Sequence, residues 1–212
     1  MRLGIRLLFA FFLINGIAAF FVLPVAPLPQ VIKPSVREVM EDMMVDTANI
    51  LAELASDDLA AGRLAQGDTD SAFARHVRNY VRRPIDAGIW GFAKQSLDYR
   101  IYVTDATGRV LFDSQGQAVG QDFSQWRDVA RTLRGEYGAR MTREVPSDDT
   151  SGVMHVAAPV LVQGRILGVL TVAKPVRTVQ RFIDRAERKV LMGGLVLLLL
   201  SAAVGVAVTL WM

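Results

Sequence analysis

Two histidines and a set of arginines on short alternating segments carry most of the chemistry open to this 212-residue chain. There is no cysteine, which removes a thiolate nucleophile, a disulfide framework and a thiolate zinc site. His76 and His155 are too few for a histidine-rich metal cluster. As general bases they would need a partner nucleophile, yet neither ARHVRNY nor VMHVAAP sits near a G-x-S-x-G elbow. No Walker loop or glycine-rich nucleotide lid occurs either, so phosphoryl transfer is not carried by these residues. No catalytic and no metal-ligating residue is assigned. Recognition is what remains. Arg100, Tyr102, Arg134, Tyr137, Arg140 and His155 are the polar side chains suited to orient a small molecule, and the planar fork of a guanidinium matches a carboxylate. An organic acid is the corresponding ligand class. Each residue also has an ordinary structural reading: an ion-paired surface arginine or a hydrogen-bonded strand histidine.

The charge balance excludes a nucleic-acid surface. The chain has 24 Lys and Arg against 21 Asp and Glu, and all but Arg2 and Arg6 of the basic residues lie between positions 33 and 189 with all of the acidic ones. No face-sized positive excess is left to neutralise phosphates.

Apolar residues make up 51% of the chain and are concentrated at its two ends. Val190 to Met212 is uncharged over 23 residues, about 34 Å of helix, and reads as a transmembrane span. Gly193, Gly194, Ser201 and Gly205 offer it small faces for a second helix. Residues 7–32 form the other apolar block. Its uncharged run is longer than a usual signal-peptide core, and the nearest small-residue cleavage candidate, Ala26 preceded by Pro24, matches A-x-A poorly, so an uncleaved anchor is expected. Pro24, Pro27 and Pro29 end or kink that helix. Flanking charges leave the orientation open, because Arg2 and Arg6 are matched by Lys33 and Arg37. The chain stops at the edge of its second apolar run, and a longer protein is expected.

Residues 33–189 carry one globular core. Pro34 suits the first turn of a long amphipathic helix over about 35–56, with Val36, Met40, Met43, Thr47, Ile50, Leu51 and Leu54 as its apolar face. Asp68 to Asp70 are expected to cap a second helix bearing Phe73, Val77 and Tyr80, which Pro84 ends. From Asp98 the apolar period drops toward two. DYRIYVTDATGRVLFDS reads as a hairpin turning at Asp105 to Gly108. Asp122 or Ser124 is expected to cap a helix through Trp126, Val129 and Leu133, and three strands follow over 136–145, 152–162 and 165–173. The last is apolar on both faces, as a central strand requires. After Lys174 and Pro175 a helix runs into the membrane, with Val179, Ile183, Ala186 and Val190 spaced like a coiled-coil seam. The fold class is α+β: an antiparallel sheet of five strands behind a long N-terminal helix, flanked by two transmembrane helices.

At this level of detail the chain resembles the sensor region of bacterial sensor histidine kinases of the CreC type. The blocks that carry the resemblance are MRLGIRLLF, DTANILAELA, YVTDATGRVLFDS, VGQDFSQWRDV, TLRGEYGAR, VMHVAAPV and GVLTVAKP. The hairpin D-x-x-G-x-V-L-x-D-S followed by G-x-D is shared more widely with Cache, or PAS-like, sensor domains. The resemblance implies a cytoplasmic tail at 1–6, a first membrane helix at 7–32, a periplasmic domain at 33–189 and a second membrane helix at 190–212. It places the protein in the bacterial inner membrane as a two-pass homodimer, with seams at 36–54 and 179–190 available for pairing. It implies a ligand cavity between the sheet and its connecting segments, a cytoplasmic kinase part absent from this chain, ATP only in that part, and a cognate response regulator as partner. The family's phosphoacceptor context, H-E-x-x-x-P, matches neither histidine. A chemoreceptor, a cyclase or a free-standing anchored binding protein are the alternative users of such a module.

Overall fold

In a computed structural model, residues 28–64, 70–89, 91–143, 145–148 and 151–211 are described, together with Phe11, Leu13, Ile14 and Gly16. Most of the expected first membrane helix and the tail before it lie outside the described residues. Two compact units divide the chain: Glu38–Thr178, and residues 1–37 with 179–212.

The elements of the first unit follow the sequence periodicities. Helix α1 (Leu28–Ala60) and helix α2 (Ala72–Arg82) precede a small hairpin, β1 (Ala87–Ile89) with β2 (Phe92–Lys94). Then come β3 (Arg100–Asp105), β4 (Val110–Asp113), the short helix α3 (Arg127–Leu133), β5 (Gly138–Arg143), β6 (Gly152–Val162) and β7 (Arg165–Pro175). Five strands form one antiparallel sheet in the order β4-β3-β7-β6-β5. The apolar strand β7 is its centre, as its two-faced hydrophobicity requires.

The two faces bury different partners. Ile101, Val103, Leu170, Val172 and Val156 alternate onto the face toward α1 and α2. Gly168 sits where a Cβ would run into the Thr104 carbonyl and the Leu59 side chain, so β3 lies against β7 backbone to backbone and α1 packs there through Leu59. The buried stripe of α1 is Met40, Met44, Ala48, Ala52, Ala55 and Leu59. That corrects the expected face in part: Met40 is buried as expected, whereas Met43, Ile50 and Leu54 are exposed. The largest apolar residues marked the face in the sequence, whereas the sheet selects alanines, whose size permits close packing.

Both cap expectations shift. Ser71 takes the N-cap of α2, its hydroxyl accepting from Ala74 N–H at 3.0 Å, in place of Asp68 to Asp70. The buried Asp58 at the end of α1 accepts from Ser71 Oγ and Phe73 N–H, each at 2.7 Å, and from Arg63, clasping the two helices. At α3 the N-cap position is Trp126 without a side-chain cap. Asp122 instead accepts from Ser124 N–H at 2.8 Å within the preceding turn. The hairpin turn is as expected: Asp105 Oδ1 accepts from Thr107 and Arg109 N–H, and Gly108 takes φ +88°.

In the second unit, helix α4 (Arg177–Trp211) contains a stretch long and apolar enough to cross a bilayer, Ile183–Ala207. At 25 residues it begins before the expected Val190, and it is about 37 Å long. It is one such helix among the described residues, where two were expected. Ser201 Oγ donates to the Ile14 carbonyl at 3.5 Å, on the small-residue face expected to meet a second helix.

Candidate functional site

Strand register brings most of the predicted ligand residues onto the second face of the sheet. Arg140 is directly opposite His155, and His155 is opposite Ala173, which is opposite Arg100. One step along the strands lies the row Gly138, Ala157, Thr171, Tyr102. Side chains two residues apart share a face, so Arg100, Tyr102, Arg140 and His155 all point to the same side. Helix α3 and the segment before it cover that side with Val129, Ala118, Phe123 and Trp126.

A buried polar cluster forms under this cover, and its centre is a residue the sequence did not single out. Asp128, fully buried on α3, receives Arg140 Nε–H on Oδ1 at 2.6 Å. Its Oδ2 accepts from the Tyr102 hydroxyl and from Thr171 Oγ at 3.4 Å. The Arg140 guanidinium lies 4.1 Å over the Trp126 ring, which stacks on Phe123, and Tyr102 meets Phe123 edge-on at 5.3 Å. Arg140 Nη2 reaches His155 Nδ1 at 3.3 Å, and His155 Nε2 lies 3.0 Å from Thr142 Oγ. A guanidinium only donates, so Nδ1 must accept; the ring is then the neutral Nε2–H tautomer, donating to Thr142.

Electrostatics agree with that tautomer. Burial, then the Arg140 charge, pushes the His155 pKa down to about 4. Burial, together with the Asp128 charge, drives the Tyr102 phenol far above its usual range, so it stays a donor. The unfolded histidine titrates near pH 6.5, hence the unfolded chain binds the extra proton more readily between pH 6.5 and 4. Stability present at neutral pH is lost as pH falls through that window, by up to about 3 kcal/mol. Urea unfolding midpoints at pH 7 and 4.5 are expected to separate widely for the native chain and to draw together in His155→Gln; equal separation in both would refute this source of acid sensitivity.

The other candidates are engaged outside the Asp128 cluster, Arg100 at the edge of the same face. Arg100 holds Asp113 through a two-pronged pair, Nε to Oδ1 at 3.1 Å and Nη2 to Oδ2 at 2.8 Å. Asp113 also accepts from the backbone N–H groups of Gln115, Gln117 and Ala118, so this pair shapes the turn after β4. Arg134 is 59% exposed and pairs with Glu136 on the surface. Tyr137 precedes β5, is exposed, and donates to Glu41 of α1.

Asp128 was missed because α3 is a seven-residue helix too short for its periodicity to name a face. Its fully buried residues are Asp128, Val129 and Thr132; of the expected line, Val129 is in the core and Trp126 and Leu133 pack partly buried against it, so Asp128 and Thr132 are the inward residues that line lacked. Gly138 permits this contact, since a Cβ there would meet the Asp128 carbonyl and Thr132 Oγ. A glycine opening a strand beside a D-x-x-x-T pair was the available signal.

A separate cavity of about 640 Å³ lies on the opposite side of the sheet, lined chiefly by apolar and aromatic side chains including Ile50, Leu54, Phe73, Tyr80 and Tyr99. None of the six predicted ligand residues lines it. Among the described residues no group of three His, Asp or Glu side chains is arranged to hold a metal ion.

Comparison with known proteins supplies a context. No protein-family model matches the chain. Over 211 residues and its whole length it is 44% identical to "Sensor protein CreC" of Escherichia coli K12, of which it spans 43%. In fold it is similar to the sensor domain of the Vibrio cholerae histidine kinase DctB, with a TM-score of 0.54 at 15% identity, covering 77% of this chain and 59% of that one. The E. coli DcuS sensor domain aligns over 69% of this chain and 98% of its own, at 18% identity and a TM-score of 0.44.

Proposed function

We propose that this chain is the sensing input module of a two-component histidine kinase in the bacterial inner membrane, with residues 38–178 in the periplasm and α4 as the membrane-crossing output element. The observation that carries the reading is the similarity to the CreC sensor protein along the entire chain, at 44% identity. A phosphoacceptor helix and an ATP-binding domain belong to the rest of such a protein, ATP would be needed only there, and a response regulator is its partner.

The route out of the domain is short. Strand β7 ends at Pro175 and α4 begins at Arg177. Val176 between them is buried and donates its N–H to the Gly152 carbonyl at 2.7 Å, which pins the exit to β6. A change in sheet packing therefore has one intervening residue in which to be absorbed. A stimulus acts by its difference in affinity for two packings of the domain, and only by that difference.

Pairing of two copies completes the reading. Val39, Met43, Ile50 and Leu54 leave an apolar stripe exposed on α1, continuous with the cavity that Ile50 and Leu54 line. Because the chain lacks cysteine, Ile50→Cys is a unique reporter. Mild oxidation in membranes is expected to give a disulfide-linked dimer from Ile50→Cys and none from Arg109→Cys on the far hairpin; equal yields would refute this pairing. The functional test is a chimera in which this chain replaces the matching region of the CreC sensor protein. ATP-dependent phosphate transfer to the response regulator is expected in membranes, at a level that sensor-domain substitutions alter. Transfer indifferent to every substitution in residues 38–178 would reject the input-module reading.

A further inference from the structure

The donors around Asp128 have the arrangement of a receptor for a carboxylate anion, and the anion is one of the chain's own side chains. We propose that Asp128 is a built-in ligand: its carboxylate fills an anion subsite formed by Arg140, Tyr102 and Thr171, and holds α3 against the sheet in the packing a bound acid would otherwise impose. The inference concerns regulation of the module proposed above and rests on that reading for its signalling consequence, while the subsite itself stands on geometry alone.

Three features separate this cluster from an ordinary ion pair. Both carboxylate oxygens are engaged, Oδ1 by Arg140 and Oδ2 by Tyr102 and Thr171. Every donor comes from the sheet, on β5, β3 and β7, whereas the carboxylate comes from the short helix laid across it. The carboxylate therefore leaves the donor array if α3 lifts. Finally, the array has partners besides Asp128: with α3 in place Arg140 is also held by the Trp126 ring and Tyr102 by Phe123, and His155 of the sheet holds Arg140 independently of α3. A site built this way keeps its shape when the anion is removed.

Tethering sets the affinity scale. A carboxylate on α3 competes at an effective concentration in the millimolar range or far above, so free acids at ordinary levels do not displace it. The module is then held in its liganded packing by default, and its signal is release of α3. Only with α3 displaced does the sheet offer a site to a small monocarboxylate of one to three carbons.

Removing the side chain tests this by size matching. Asp128→Ala deletes one carboxylate, which formate replaces atom for atom. In the full chain in detergent, 100 mM formate is expected to raise the Asp128→Ala melting midpoint by about 4 °C, the shift for a domain of this size with ligand near tenfold over its Kd. The native chain, and Asp128→Ala with Arg140→Gln, should not move beyond the effect of equal chloride. Should Asp128→Ala fail to fold unaided, recovery of folded protein on refolding in formate but not chloride supports the subsite, and no recovery in either overturns it. An unresponsive folded Asp128→Ala, a chloride effect as large as formate's, or an equal formate shift in the native chain each overturns it too. None of these readings uses kinase output, so failure here leaves the input-module reading to its own test.

Discussion

Arg140→Ala is expected to lower the unfolding free energy by about 4 kcal/mol, because it strands a buried carboxylate. Asp128 would keep the Tyr102 and Thr171 hydroxyls as donors but lose its guanidinium partner at 2.6 Å, while Trp126 loses the guanidinium stacked on its ring. Most of that loss is the penalty of an unpaired buried charge rather than the worth of the pair. Removing both charges with near-isosteres, Asp128→Asn with Arg140→Met, is therefore expected to recover about half of it. The contrast is Arg134→Ala, whose exposed pair with Glu136 is worth about 0.5 kcal/mol. Chemical denaturation of the three variants checks the order. A loss for Arg140→Ala no larger than for Arg134→Ala would mean the cluster is hydrated and not the closed site described above.

Gly168→Ala is expected to cost about 3 kcal/mol or more through sterics alone. The added Cβ meets the Thr104 carbonyl, which belongs to the paired neighbour β3 and has no rotamer in which to move aside. Only separation of β3 from β7, or of α1 from the sheet at Leu59, relieves it. Gly164 makes the control: a Cβ there meets nothing within 4 Å, but φ is +76°. Its alanine variant is expected to lose about 1 kcal/mol, the conformational penalty by itself. Comparable melting midpoints for the two variants would show that β7 is not packed at backbone distance.

Much of the architecture was readable because it rests on strong local signals. The hairpin around Asp105 and Gly108, the placement of β7 at the centre and the helix after Pro175 follow from turn chemistry, two-faced hydrophobicity and proline sterics. Tyr102, Arg140 and His155 were picked out by residue type, but that they share one side of the sheet comes from the strand register, and which groups neutralise them from tertiary contacts. That information was non-local. Asp113 is held by Arg100 across a hairpin, and Asp128 by Arg140 across α3 and β5, and no spacing rule connects such pairs. The face of α1 was misread for a related reason: Ala48, Ala52 and Ala55 look unremarkable beside Ile50 and Leu54, yet they are the residues the helix buries. Methionine and leucine left outside then form the stripe assigned to a second copy.

Under the function proposed above, domain packing reaches the membrane through the junction of β7 and α4. Inserting Gly-Gly-Ser between Val176 and Arg177 of the chimera lengthens that junction from one residue to four with flexible chain. Response-regulator phosphorylation in membranes, compared between native and Arg140→Ala sensor domains, is the measurement. The expected result is a difference between the two sensor domains without the insertion and none with it, at equal expression. A difference that survives the insertion unchanged would contradict transmission through this junction.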